Sequence, residues 1–197
     1  MKNLIYIILL FCFQIVFSQS PIKAIRNWNG EISNNSYLKD TFNDLDLFVG
    51  TFKYSNNDTT FTIKLRKIEQ YYNGKYFSDL IIGDLTYIIG STTIIDSNNQ
   101  FNTNFNNQFT HKIFGESLYE NNFKPICSDC LPNEKRLRLQ INDGTKSSAL
   151  YLRKVTINGY QALKVLKITS GPKSVPFGTT PIKSNIRDGD YLFIKQP

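Results

Sequence analysis

Hydrophobic and polar positions begin to alternate at Leu47. Phe48, Gly50, Phe52 and Tyr54 fall on one face of an extended segment, Val49 and Thr51 on the other, and Ser55-Asn56-Asn57-Asp58 supplies turn chemistry. Phe61, Ile63 and Leu65 then alternate with Thr60, Thr62, Lys64 and Arg66, so the two runs predict a hairpin with one dry face. Residues 76–84 and 85–95 predict two more strands, with aliphatics in continuous pairs and with Gly83 and Gly90 as punctuation. Glycine inside a strand marks a bulge or tight bend, which a closing sheet needs. After a strand over residues 112–118, Leu137, Leu139 and Ile141 alternate with Arg136, Arg138 and Gln140, run into Asp143-Gly144, and are answered by Leu150 and Leu152. Asn158-Gly159 repeats the hairpin device before residues 160–168, and Tyr191-Leu192-Phe193-Ile194 forms a closing strand. The pattern predicts an all-β fold, a single antiparallel β-barrel of roughly eight to ten strands. Alternation does not distinguish a closed sheet from two packed ones, so a β-sandwich is the alternative.

Three stretches depart from alternation. Residues 19–43 read as an extended lead segment or a single helical turn, with Trp28 as an anchor against the core, and residues 44–197 as the barrel domain. In the Asn-rich residues 97–109, Phe101, Phe105 and Phe109 recur every four residues, which suits either an ordered loop with its rings tucked inward or a short lid over a cavity mouth. The Pro/Gly/Thr-rich residues 171–181 read as an ordered loop.

Charge and cysteines add a compartment and a surface. Met1-Lys2-Asn3 followed by an apolar run from Leu4 to Phe17 reads as a signal peptide over residues 1–18, which predicts a secreted or periplasmic protein with no transmembrane segment after cleavage. Residues 19–120 carry 9 basic and 11 acidic side chains, whereas residues 121–197 carry 13 and 5. The basic half, including Lys135, Arg136, Arg138, Arg153 and Lys154, offers a surface for an anionic glycan or lipid, or is simply the solvent face of strands. Cys127 and Cys130, bracketed by Pro125 and Pro132, fit a local disulfide. Redox and zinc readings lack a following helix and further ligands.

No Gly-x-Ser-x-Gly elbow, His-Glu-x-x-His helix, phosphate-cradling loop or second cysteine pair is present, so no catalytic residue, metal or cofactor is implied, and nucleic acid is not an expected partner.

The stretch Phe48-Val49-Gly50-Thr51-Phe52-Lys53-Tyr54 resembles the first strand of lipocalins and fatty-acid-binding proteins, although Phe52 stands where that family has tryptophan. The resemblance implies that Gly50 and Phe52 form the barrel base, with Phe52 under a basic side chain from a late strand, Arg187 or Lys195. The chain also resembles a group of uncharacterised secreted bacterial proteins with a Gly-Thr-aromatic-Lys strand and an ending like Phe193-Ile194-Lys195-Gln196. The expected function is non-enzymatic: a small apolar or amphipathic ligand held in the barrel. Tyr54, Phe61, Ile63, Leu65, Leu137, Leu139, Leu150 and Leu152 are then either its lining or the packed core. The alternative is docking of anionic glycan or lipid on the basic outer surface.

Overall fold

The computed structural model describes residues 21–27, 30–120, 125–144, 148–169 and 184–197. Its strands are β1 (Ile22–Ala24), β2 (Tyr37–Lys39), β3 (Gly50–Asn56), β4 (Thr59–Tyr72), β5 (Phe77–Ile89), β6 (Thr92–Asp96), β7 (Ile113–Tyr119), β8 (Arg136–Ile141), β9 (Ser148–Ile157), β10 (Tyr160–Thr169) and β11 (Gly189–Lys195). Eight of them, β3, β4, β5, β7, β8, β9, β10 and β11, close into an antiparallel barrel in chain order, with β5 pairing β7 and β11 returning to β3. The far edge of β5 is shared along its length by β2 in parallel, then β7, then β6. Turn chemistry explains the tight connections: Asn158 and Gly159 both take positive φ (50° and 82°), as a two-residue hairpin turn with the strands' own twist requires.

Alternate side chains point into one core. Cross-strand pairs Phe61↔Tyr87 and Ile63↔Leu85 on one wall and Leu137↔Leu152 and Leu139↔Leu150 on the other are all buried. Burying each such side chain contributes about 2 kcal/mol of transfer free energy.

Residues 76–95 correct the expectation of two comparable strands. Phe77–Ile89 is continuous, and only Thr92–Asp96 folds back on it. Gly83 lies inside unbroken pairing, opposite Leu65, where a Cβ would stand 2.3 Å from the Lys64 carbonyl oxygen. It is glycine because another backbone comes too close, and the turn falls at Gly90 instead, with φ +58°. The first barrel strand also starts later than the alternation, because Leu45–Phe48 forms a 3-10 turn. Asp40 holds that turn by accepting from the backbone N–H groups of Asp44 (2.8 Å) and Leu45 (3.0 Å). Leu45 and Phe48 are thereby buried at one end of the barrel, its base. The lead segment contributes β1, a 3-10 turn at Ile25–Asn27 and β2. Trp28, residues 1–18 and the loop at 171–181 lie outside the described residues.

Candidate functional site

Gly50 and Phe52 open β3, directly after the 3-10 turn that buries Leu45 and Phe48. Phe52 is fully buried, and of the two candidate cations it is Lys195 whose Nζ lies over the ring, 5.9 Å from its centroid. Gly50 (φ +135°) leaves room for that lysine, since a Cβ there would meet Lys195 Cε at 3.0 Å.

Of the eight interior positions, Phe61, Ile63, Leu65, Leu137, Leu139, Leu150 and Leu152 belong to a single buried cluster, and Tyr54 packs against it from a half-buried site. Phe61 meets the rings of Tyr87, Tyr191 and Phe193 edge-on at 5.0–5.5 Å. Each end of the barrel also takes up an inward lysine. At the base, Lys67 follows Leu65 on the inner face and reaches Asp46 (2.6 Å) and Asp40 (3.6 Å). At the other end, Lys167 follows Leu163 and Val165, is fully buried, and reaches Asp143 (2.9 Å) and Asp188 (2.8 Å). Such pairs are tolerated in a barrel interior only because oxygen atoms surround the ammonium; Thr169, Ser184 and the Ile186 carbonyl complete the shell around Lys167. Seven of the eight thus share one buried cluster, with Tyr54 at its margin.

Phe101, Phe105 and Phe109 lie on the outside of the wall, not across a mouth. Arg66, outward on β4, stacks near Phe101 and donates to the backbone oxygens of Phe101 (3.2 Å) and Thr103 (3.3 Å). Phe105 meets His111 edge-on at 4.9 Å, and Phe109 packs between Tyr71 and Phe114. The segment is a strap over the outer wall, on which the outward aliphatics of β5, Leu80 and Ile82, are fully buried. Beneath it His111 Nδ1 pairs with Asp84 Oδ2 at 2.6 Å, both fully buried, and His111 Nε2 has no hydrogen-bond partner.

A cleft lies on the opposite outer wall. The Cys127–Cys130 disulfide closes the tight turn expected from its spacing, and Ile126, Cys127, Ser128 and Asp129 roof a hollow of about 260 Å³. Its floor is the outward face of β8 to β11: Arg136, Tyr151, Arg153, Lys164, Leu166 and Asp190. These positions alternate with the inward Leu137, Leu152 and Val165, which is why the basic side chains gather outside. Arg153 fastens the roof, donating to the Asp129 carbonyl oxygen (2.9 Å) and carboxylate (2.6 Å) and to Glu134 (3.3 Å). Lys164 reaches the same Asp129 carboxylate at 2.7 Å. That hydrogen bond from Lys164, with Arg153 nearby, holds Asp129 below the usual carboxylate range. Arg136 is 4% exposed, and burial, with repulsion from Arg153, lowers its pKa from the ordinary arginine value despite Tyr151 and Glu134.

Sequence reasoning placed Arg136 and Arg153 on a common basic surface, and both line this cleft. Lys135 and Lys154 line a separate hollow of about 280 Å³ at the base, with Asp44, Leu47, Phe48, Leu118 and Glu134. Arg138 lies between the inward Leu137 and Leu139, on the outer face of β8. Lys164, Tyr151, Asp129 and Asp190 were missed. The alternation around Leu163 and Val165 marked Lys164 as outward, but only the fold brings it beside the cysteine turn. Among the described residues, Cys127, Asp129 and Cys130 form the one group with metal-ligand spacing, and its sulfur atoms are bonded to each other. In that oxidised form it offers no thiolate.

A family model described as a family of unknown function (DUF6705) matches residues 1–196. No curated protein and no solved structure matches the chain.

Proposed function

Because the chain belongs to the DUF6705 family, whose function is unknown, its role has to be argued from its own surface, and we propose that it is an exported, non-enzymatic binding protein that docks an anionic glycan in the cleft beneath the disulfide turn. The observation that carries this is the composition of one floor: Arg136, Arg153, Lys164 and Tyr151 line it together under a roof pinned by Asp129. Guanidinium and ammonium groups recognise carboxylate or sulfate, an aromatic ring packs on a sugar face, and the Ser128 and Asp129 side chains suit hydroxyl groups. The Cys127–Cys130 disulfide supports an oxidising compartment. The mutual packing of Phe61, Ile63, Leu65 and the β8 and β9 leucines supports treating them as core and not as the lining of an apolar-ligand cavity.

The test is titration calorimetry with a sulfated and a carboxylated oligosaccharide, against neutral controls and anionic lipid vesicles, at low and physiological salt. Affinity should fall as salt rises. Lys164→Ala, at a half-exposed rim position, should weaken binding roughly tenfold, the contribution of one charged hydrogen bond. Vesicle binding with no oligosaccharide binding would replace the glycan by a lipid surface. No binding of either, or binding indifferent to Lys164→Ala, refutes the assignment.

A further inference from the structure

The barrel closes unevenly. β10 and β11 pair over six positions, whereas β11 meets β3 at only two, Ile194↔Lys53 and Lys195↔Phe52. Above that point Gly189–Phe193 is paired with β10 on one side and, among the described residues, with no strand on the other. Tyr54, Ser55 and Asn56 across the gap pair only with β4. Hollows of about 460 and 480 Å³ flank this seam. Lys53, Ser55, Asn56 and Ile194 line the first, Lys164, Asp190 and Tyr191 line the second, and Tyr54 and Leu192 border both.

A bare strand edge is a template for another strand, and natural edges are usually blunted by proline, lysine or a covering element. The β11 edge reads Gly189-Asp190-Tyr191-Leu192-Phe193, with one charge and neither of those residues. Its outward Leu192 is 38% exposed. Behind it, Tyr54, Tyr191 and Phe193 form an aromatic floor, with ring centroids 4.9 Å apart for Tyr54 and Tyr191 and 6.1 Å for Tyr54 and Phe193. Tyr191 is anchored by donating from its hydroxyl to the Arg187 carbonyl oxygen at 2.7 Å.

We propose that the β11 edge at this seam binds an extended peptide segment of a partner protein by strand addition. The backbone of the guest pairs with Gly189–Phe193, a run of roughly 17 Å at about 3.3 Å per residue. Its inward side chains are small and aliphatic, meeting the part-exposed Tyr54 ring above the buried Tyr191 and Phe193, and its outward ones lie beside Leu192, Lys53 and Asp190. An unpaired strand backbone is a ladder of peptide donors and acceptors, which a sugar chain does not match at that repeat, so the seam and the glycan cleft call for different partners although they share a border.

The experiment is amide hydrogen–deuterium exchange of the purified protein, alone and with acetyl-Thr-Val-Thr-Val-Thr-Val-Lys-amide, and again with the same peptide N-methylated at alternate residues. In the free protein, the amides of residues 189–193 that face the seam should exchange quickly. The unmodified peptide, at about ten times its Kd, should slow them roughly tenfold, and the N-methylated peptide, which keeps the side chains and loses the backbone donors, should not. The protection should persist in Tyr151→Ala, whose side chain lines the glycan cleft and neither seam hollow, which separates the two sites. Three results each overturn the proposal: those amides already protected in the free protein, no added protection with peptide, or equal protection by the N-methylated form.

Discussion

The Lys167 cluster gives the sharpest test of how the upper end of the barrel is held. The perturbation is Asp143→Asn, which keeps the side-chain shape and removes one charge. In the native protein Asp143 is fully buried, accepts from Ser148 (3.0 Å) and Ser184, and faces the Lys167 ammonium at 2.9 Å. Burial alone would raise its pKa; the hydrogen bonds from Ser184 and Lys167 outweigh that and hold it below the usual carboxylate range. Removing one partner of a buried pair costs about 3–5 kcal/mol. Lys167 retains Asp188 at 2.8 Å, itself half exposed, so about 3 kcal/mol is expected. In a domain of this size that lowers Tm by roughly 6–12 °C at neutral pH. The pH dependence has a fixed sign. A carboxylate whose folded pKa is depressed stabilises the fold above its unfolded pKa, near 4, and loses that stabilisation as pH falls through the folded value. Thermal unfolding followed by circular dichroism from pH 7 downward should therefore show Asp143→Asn starting less stable and losing less with acid than the parent. The double variant Asp143→Leu/Lys167→Met, which removes both buried charges, should recover most of the loss. An Asp143→Asn protein within about 2 °C of the parent Tm, or with the parent's acid slope, would refute the account.

Two further outcomes follow from packing. Gly83→Ala should fail to fold or lose about 4 kcal/mol or more, measured by urea unfolding, because its Cβ would stand 2.3 Å from the Lys64 carbonyl oxygen and 2.6 Å from Leu65 Cδ2. Phe105→Ala, which strips the ring from His111 on the outer wall, should cost about 2 kcal/mol and leave glycan affinity in the opposite cleft unchanged; a change in affinity would argue against the strap as an independent cover.

Much of the barrel was legible because period-two alternation carries its own geometry. Phe61, Ile63 and Leu65 announced an inner face, and the Asp143-Gly144 and Asn158-Gly159 turns announced which strands pair. The same alternation continues to Lys67 and Lys167, yet no pattern along the chain brings Asp40 or Asp188 to them; those partners come from loops that cap the barrel. The phenylalanine spacing at 101, 105 and 109 correctly marked rings that need cover and not where they find it, since the aliphatic pairs of β5 make a strand apolar on both faces and so create a second wall to be covered. The cleft failed to appear for a related reason. Arg136 and Arg153 were visible as outward residues, but the roof that turns an outward face into a hollow is a disulfide turn whose direction is set by Arg153 gripping Asp129.

The sharing of one edge of β5 also bears on how the chain escapes misassembly while it is being made. Once β3, β4 and β5 have formed, β5 presents thirteen residues of largely apolar strand, Phe77–Ile89, whose permanent barrel neighbour, β7, has yet to be placed. A long sticky edge of this kind recruits other unfinished chains. Here both ends of it are paired by other strands, β2, which precedes it in the chain, at Phe77 and Ser78 and β6, which follows it directly, at Thr86–Ile89, so the stretch left waiting for β7 shrinks to the neighbourhood of Ile81–Gly83. With β2 and β6 in place, little of the β5 edge is left open to an intruding chain before the cylinder closes.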